Sequence, residues 1–166
     1  KGEFILNARL FSEMIKKMPE DEILMDVNEN MQVTLSSGVT TYNLSALSAD
    51  DYPELPGKEA SEEIPVPQTA LKSMINQTIF AVSQSDIKPI LKGELFEING
   101  GVFNLAAIDG YRLAVRTENI KFSGEKKFVV PSKTLSEVSK LLSDNDEDTC
   151  NIFVSPKHII FEINGY

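Results

Sequence analysis

Residues Phe128–Leu142 read FVVPSKTLSEVSKLL: a short apolar run, a proline, then a mixture of apolar and polar residues without the period of a strand. Leu135, Val138, Ser139 and Leu142 fall at i, i+3, i+4 and i+7, one face of a helix, and Pro131 suits the start of that helix. The stretch predicts a strand running directly into an amphipathic helix of about three turns. Two other stretches share the design. Phe4–Met18, FILNARLFSEMIKKM, puts Phe11, Met14, Ile15 and Met18 on the stripe; Ile64–Thr78, IPVPQTALKSMINQT, puts Leu71, Met74, Ile75 and Thr78 there, with Pro67 at the place of Pro131. Thr78 and Ser139 are the polar substitutions in the stripes.

Each copy continues into strand-like sequence broken by short turns. After the first comes EILMDVNENMQVTLSSGVTTYNLSAL, in which Val33 and Leu35 alternate with Gln32 and Thr34, and NEN and SSG punctuate. After the second comes PILKGELFEINGGVFNLAAIDGYRLAVRTENI, where NGG reads as a hairpin turn because Asn-Gly tolerates positive φ. After the third comes CNIFVSPKHIIFEINGY. The unit is a strand, a helix and two or three antiparallel strands, which predicts an α+β fold. A helix with one apolar stripe must lay it on a sheet, so each unit needs a neighbour to complete its core.

Composition narrows the function classes. In 166 residues, 42% are apolar, enough for one domain or two small ones. The net charge of -9 excludes a surface that is basic throughout, although it leaves room for a local basic face. No apolar run approaches the roughly 18 residues that cross a bilayer, and KGEFILNARL lacks the apolar block of a secretory signal, so no membrane and a cytoplasmic location are expected. A single cysteine, Cys150, permits no intrachain disulfide, and a single histidine, His158, leaves no Cys/His set for zinc; no metal or other cofactor is expected. Cys150 opens a strand-like run, as a small buried apolar group does, and His158 stands in the turn-like SPKH.

The polar faces of the helices carry the informative charge. At about 100° per residue, Arg9 and Lys16 lie together opposite the first stripe, and Lys133 and Lys140 hold the equivalent places in the third copy. The middle copy has Thr69 and Asn76 there, with Lys72 on the flank. Such pairs can meet phosphates without disturbing the core. Glu13 and Glu137 beside them also fit an ordinary solvated face. Between Tyr52 and Glu63, YPELPGKEASEE has two prolines, a glycine and four acids with no apolar period, and reads as a linker. The boundaries expected are residues 1–56, a linker at 57–63, and 64–166.

One further stretch, Leu105–Val115, LAAIDGYRLAV, interrupts an apolar run with an acid, a glycine, a tyrosine and an arginine. Together with DDYPELP and FVVPSKTLSEVSKLL, it resembles the bacterial sliding clamps, the beta subunits of DNA polymerase III, over essentially the whole chain. The resemblance implies the DNA clamp fold, with 1–56 as the second half of a first domain, 64–166 as most of a middle domain, and a third domain absent. It implies a ring of two head-to-tail subunits around double-stranded DNA, with helices lining the hole, so that Arg9, Lys16, Lys72, Lys133 and Lys140 face the duplex. It implies the role of a processivity factor without catalytic residues, in an assembly whose holoenzyme is a nucleotidyltransferase. The implied partners are the polymerase III alpha subunit, the clamp loader, and replication and repair proteins that carry clamp-binding peptides. A chain without the third domain is expected neither to close a ring nor to form the homodimer of the full-length protein.

The same resemblance implies a peptide-binding cleft on the middle domain, to which Ile108, Gly110, Tyr111, Arg112 and Leu113 would contribute one part and Leu91 an apolar position across from it. Ile108 stands where the family often has threonine, which makes this side of the groove more apolar. Asp109 would hold the turn. Two other readings use the same residues: a small α+β enzyme employing Asp109, Arg112 and Tyr111, and a peptide-binding scaffold that touches no DNA. Against the enzyme stand the missing phosphate-binding glycine loop, the missing metal-ligand spacing and the lone histidine.

Overall fold

Pro67 and Pro131 stand where an extended strand becomes a helix. With φ, ψ of -56°, 132° and -57°, 135°, each is the last residue of a strand and the cap of the helix that follows, one place earlier than a first helical residue. Strand and helix both accept the φ of a proline ring, so ψ alone decides, and here ψ is extended. The missing N–H costs nothing at the end of a ladder. Asn7 starts the first helix differently, its side chain accepting a hydrogen bond from the Leu10 N–H at 3.0 Å.

The computed structural model describes residues 2–54, 56–58 and 61–165, in two compact units, 1–55 and 56–166. In the first, β1 (Phe4–Ile5) leads into α1 (Ala8–Ile15), followed by β2 (Leu24–Val27), β3 (Gln32–Ser37), β4 (Thr40–Ser45) and β5 (Leu47–Ser48). Strands β2, β3 and β4 form an antiparallel sheet in that order, and β1 pairs with β5. The alternation around Val33 and Leu35 buries both completely, and Phe11, Met14, Ile15 and Met18 pack on that cluster.

The second unit contains β6 (Glu62–Pro67), α2 (Gln68–Thr78), β7 (Gly93–Asn99), β8 (Val102–Ile108), β9 (Leu113–Asn119), β10 (Glu125–Pro131), α3 (Ser132–Leu141), β11 (Thr149–Val154) and β12 (Ile159–Ile163). Its two antiparallel sheets run β10-β7-β8-β9 and β12-β11-β6. The repeats exchange their first strands: β10, which opens the later repeat, pairs with β7 of the earlier one, while β6, which opens the earlier repeat, pairs with β11 of the later. This exchange is how each copy completes its neighbour. The core joins Leu71, Met74 and Ile75 of α2 and Leu135 and Val138 of α3 to Phe96, Ile98, Phe103 and Leu105 of one sheet and Ile64, Val66, Cys150 and Ile152 of the other. Phe96 anchors the aromatic part, 5.1 Å from Phe128 and 5.2 Å from Phe103 between ring centroids.

Several local expectations are corrected. Helices α1 and α3 have 8 and 10 residues, so Met18 and Leu142 lie beyond them and reach the core from the following turn. The positive φ angles of the NGG hairpin belong to Gly100 (57°) and Gly101 (88°), while Asn99 pairs with Val102 as the last strand residue. Two glycines at the turn centre make it unnecessary for Asn99 to adopt the left-handed conformation. Of the expected linker 57–63, residues 59 and 60 lie outside the described residues, and Glu62 and Glu63 belong to β6, where Glu63 pairs with Phe153. Their charge had disguised an edge strand whose alternate residues face solvent.

The polar members of the stripes are buried because they have partners. Ser139 donates to Asn76 Oδ1 at 3.1 Å, linking α3 to α2. Thr78 contacts the Met74 carbonyl of its own helix at 2.8 Å and the carboxyl of Glu94 on β7. Cys150 is fully buried, and burial, with the nearby Glu162 carboxylate, pushes its thiol up to about 12. His158 closes the β11–β12 turn through its backbone, donating to Ser155 Oγ at 3.0 Å. Among the described residues, no helix is long and apolar enough to cross a membrane.

Candidate functional site

The stretch LAAIDGYRLAV is the end of a hairpin. Strand β8 delivers Ile108, β9 begins at Leu113 directly opposite it, and Asp109, Gly110, Tyr111 and Arg112 make the turn. Alternation along β8 and β9 turns Leu105 and Ala107 inward and leaves Ile108 and Leu113 on the outer face. Gly110 has φ of 95°, where a residue with a Cβ is strained, although the space around it is open.

Asp109 organises the turn. Its Oδ1 accepts from the backbone N–H groups of Tyr111 (3.0 Å) and Arg112 (3.2 Å), and its Oδ2 accepts from Arg112 Nε at 3.0 Å. The Tyr111 N–H foremost, then the backbone and guanidinium of Arg112, hold the Asp109 carboxyl below the usual carboxylate range. An acid held this way stays ionised and is a poor proton acceptor.

The turn aims Tyr111 fully into solvent and leaves Leu113 64% exposed. Arg112 lies over the ring of Phe80, 5.4 Å from its centroid. Phe80, 57% exposed, comes from a one-turn 3-10 helix, Ile79–Ala81, directly after α2. That helix is held against the hairpin by a small cluster of Ala81, Val82, Ala107 and Ala114. Leu91 is half-buried in a second 3-10 turn, Pro89–Lys92, and its carbonyl accepts from the Ser83 N–H at 2.8 Å. The hairpin end therefore carries Ile108, Gly110, Tyr111, Arg112 and Leu113 together, while Leu91 is tied by its carbonyl to Ser83, three residues after Phe80. The sequence reading missed Phe80. Its signal was phase: position 80 is out of step with the stripe at 71, 74, 75 and 78, so an aromatic there has no place in the core.

The basic residues are differently engaged. Arg9 pairs with Glu13 at 3.3 Å and Lys140 with Glu137 at 2.8 Å, both on exposed helix faces where such pairs are weak. Lys72 pairs with Asp144 at 2.7 Å, its side chain only 26% exposed. Lys16 and Lys133 are exposed and form no ion pair among the described residues.

Two family models match the chain: the DNA polymerase III beta subunit N-terminal domain over residues 1–56, and its central domain over residues 65–166. A beta sliding clamp of Halalkalibacterium halodurans is 38% identical over 99% of this chain, and that of Bacillus subtilis is 36% identical over 97%. The crystal structure of the Bacillus subtilis DNA polymerase sliding clamp superposes with a TM-score of 0.92 at 35% identity, covering 98% of this chain and 43% of that one. A Pseudomonas aeruginosa sliding clamp bound to griselimycin superposes with a TM-score of 0.88 at 29% identity, covering 99% of this chain and 45% of that one. The chain spans 44% of the length of the Halalkalibacterium relative and 43% of the Bacillus one. The two model matches, which leave out only residues 57–64, establish that this chain belongs to the DNA polymerase III beta subunit family.

Proposed function

We propose that this chain is part of a sliding clamp that encircles duplex DNA as a ring dimer and tethers a replicative polymerase and other partners through short peptides. The observation that carries the reading is the hairpin end: Phe80, Ile108, Tyr111 and Leu113 leave apolar surface in water around a turn that Asp109 holds rigid. Exposed aromatic and aliphatic groups around a fixed turn suit leucine and phenylalanine anchors, and the Arg112 guanidinium adds donors at the rim. This reading assigns Leu91 to the opposite apolar wall. Burying two or three such anchors contributes about 3–9 kcal/mol in all before the cost of association, so binding no tighter than about micromolar, -8 kcal/mol, is expected.

The DNA-facing role rests on Lys16 and Lys133, which form no ion pair among the described residues, and on Arg9, Lys140 and Lys72, whose acidic neighbours Glu13, Glu137 and Asp144 offset part of their charge. Contacts of this type meet phosphates without reading bases, so they are weak, salt-sensitive and compatible with sliding. Such a clamp does no chemistry. It raises the effective concentration of a tethered polymerase at the primer end. The polymerase alpha subunit, the clamp loader and repair proteins are the partners this reading assigns to the site, in the cytoplasm.

The test is fluorescence anisotropy with a labelled Gln-Leu-x-Leu-Phe peptide titrated into the wild type, Arg112→Ala and Leu113→Asp. Saturable binding that both substitutions abolish supports the site; affinity unchanged in both rejects it.

A further inference from the structure

Glu94 is an unusual residue for the inside of this fold. It is fully buried on the helix-facing side of β7, beside Val130 of β10 and next in register to Ala107 of β8. Its Oε2 is hydrogen-bonded to Thr78 Oγ1, and its Oε1 has no partner among the described residues. Thr78 Oγ1 is also 2.8 Å from the Met74 carbonyl and 3.4 Å from that of Ile75. A hydroxyl has one proton to give. Given to Glu94, that proton holds a carboxylate; given to the Met74 carbonyl, it leaves the carboxyl to supply the proton of the Thr78–Glu94 bond, and the burial of the unpartnered Oε1 favours this second, neutral arrangement. An ionised carboxylate would instead sit buried at the C-terminal end of α2, where the dipole and the free carbonyls repel it.

Among the described residues no ion pair to Glu94 offsets that penalty. The charged residue of α2, Lys72, is committed to Asp144, and Lys92, in the turn before β7, is committed to Asp86 at 2.5 Å. On β10, Lys126 and Lys127 sit at the far end, paired with Glu62 and Glu97, and Glu125 is exposed beyond them. On α3, Lys133, Glu137 and Lys140 face solvent, β8 has no ionisable residue, and on β9, which packs against α2, the half-buried Arg116 is paired with Glu118. Burial pushes the Glu94 carboxyl up to about 7, against the smaller opposing effect of the Thr78 hydrogen bond.

The position of this acid gives it a consequence. Thr78 is the last residue of α2, two before Phe80, and Glu94 follows the turn that carries Leu91. We propose that Glu94 is a proton-operated latch beneath the peptide site: as a neutral acid it ties the end of α2 to the start of β7, and on ionising it loosens the walls that carry Phe80 and Leu91. This rests on the peptide-binding reading given above. Above neutral pH the carboxylate must draw in water, and the turn beside it must open to admit it.

The test combines two readouts on the 166-residue chain and on Glu94→Gln, whose amide can donate to Thr78 Oγ1 at any pH. Carbon NMR follows the Glu94 carboxyl, and amide signals follow Ile79, Phe80 and Ala81, from about pH 5.5 to about pH 8.5. Anisotropy follows the labelled Gln-Leu-x-Leu-Phe peptide over the same range. The expected result is a carboxyl midpoint near neutrality, amide shifts with the same midpoint, and affinity that falls about fivefold with rising pH in the wild type but stays level in Glu94→Gln. A carboxyl that titrates in the ordinary range, amides that ignore it, or an equal fall in both proteins overturns the latch. If the peptide binds at no pH while carboxyl and amides titrate together, the latch stands as a motion of the fold and the peptide reading alone is refuted.

Discussion

Replacing Glu94 should change how the stability of the protein depends on pH. Its carboxyl is raised from an ordinary 4.5 to about 7 by burial, so the folded state binds the proton more tightly than the unfolded state. Between those two values the folded chain holds more protons, and stability falls as pH rises. The contribution is complete below the lower value and gone above the higher one. The full difference corresponds to about 3 kcal/mol, of which about 2 kcal/mol lies between pH 5.5 and 8.5. Urea unfolding of the wild type, Glu94→Gln and Glu94→Leu at both pH values measures it. The wild type should lose about 2 kcal/mol more than either variant on going to the higher pH. Glu94→Leu, which removes the unpartnered oxygen and leaves Thr78 bonded to the Met74 carbonyl, should be the most stable of the three at the higher pH. Equal pH slopes in all three proteins would show that Glu94 ionises in the folded state as freely as in water, and the reasoning from burial and donor count would fail.

Other substitutions probe the remaining elements. Gly110→Ala places a Cβ at φ of 95° with no steric neighbour, so it should cost about 1–2 kcal/mol by backbone strain alone and weaken peptide binding, both read by thermal unfolding and anisotropy. A double-mutant cycle of Phe80→Ala and Arg112→Ala should return a coupling of about 0.5–1 kcal/mol in stability, the scale of an exposed cation–π pair; additive effects would mean the two groups do not interact. Leu135→Ala empties a fully buried site between α3 and the sheets and should cost about 2–5 kcal/mol in urea unfolding. Reversing Lys16 and Lys133 to Glu in the full-length protein should flatten the salt dependence of DNA binding by about one unit of slope for each phosphate left without its lysine, measured across a salt series.

The helix stripes, the strand–helix junctions and the hairpin positions were legible in the sequence because each rests on local physics: a period of 3.6 or 2, a proline, a glycine pair. The α+β class followed from the repetition of that unit, and the residues of the candidate site stood out because an acid, a glycine and an arginine interrupt an apolar run. Tertiary structure alone decided which strands pair, since β10 joins β7 and β6 joins β11 through residues far apart in the chain. It also decided what Lys72, Phe80 and Glu94 do. Lys72 read as a free charge until Asp144 lay 2.7 Å away; Phe80 had no assigned place until Arg112 lay over its ring; Glu94 read as one acid among 25 Asp and Glu. Sequence determines how often apolar residues recur and so which face of each element is buried. Whether a charge is solvated, paired or forced to keep its proton depends on groups brought to it by the rest of the chain, because the energy of a charge is set by the dielectric and the partners within a few ångströms of it.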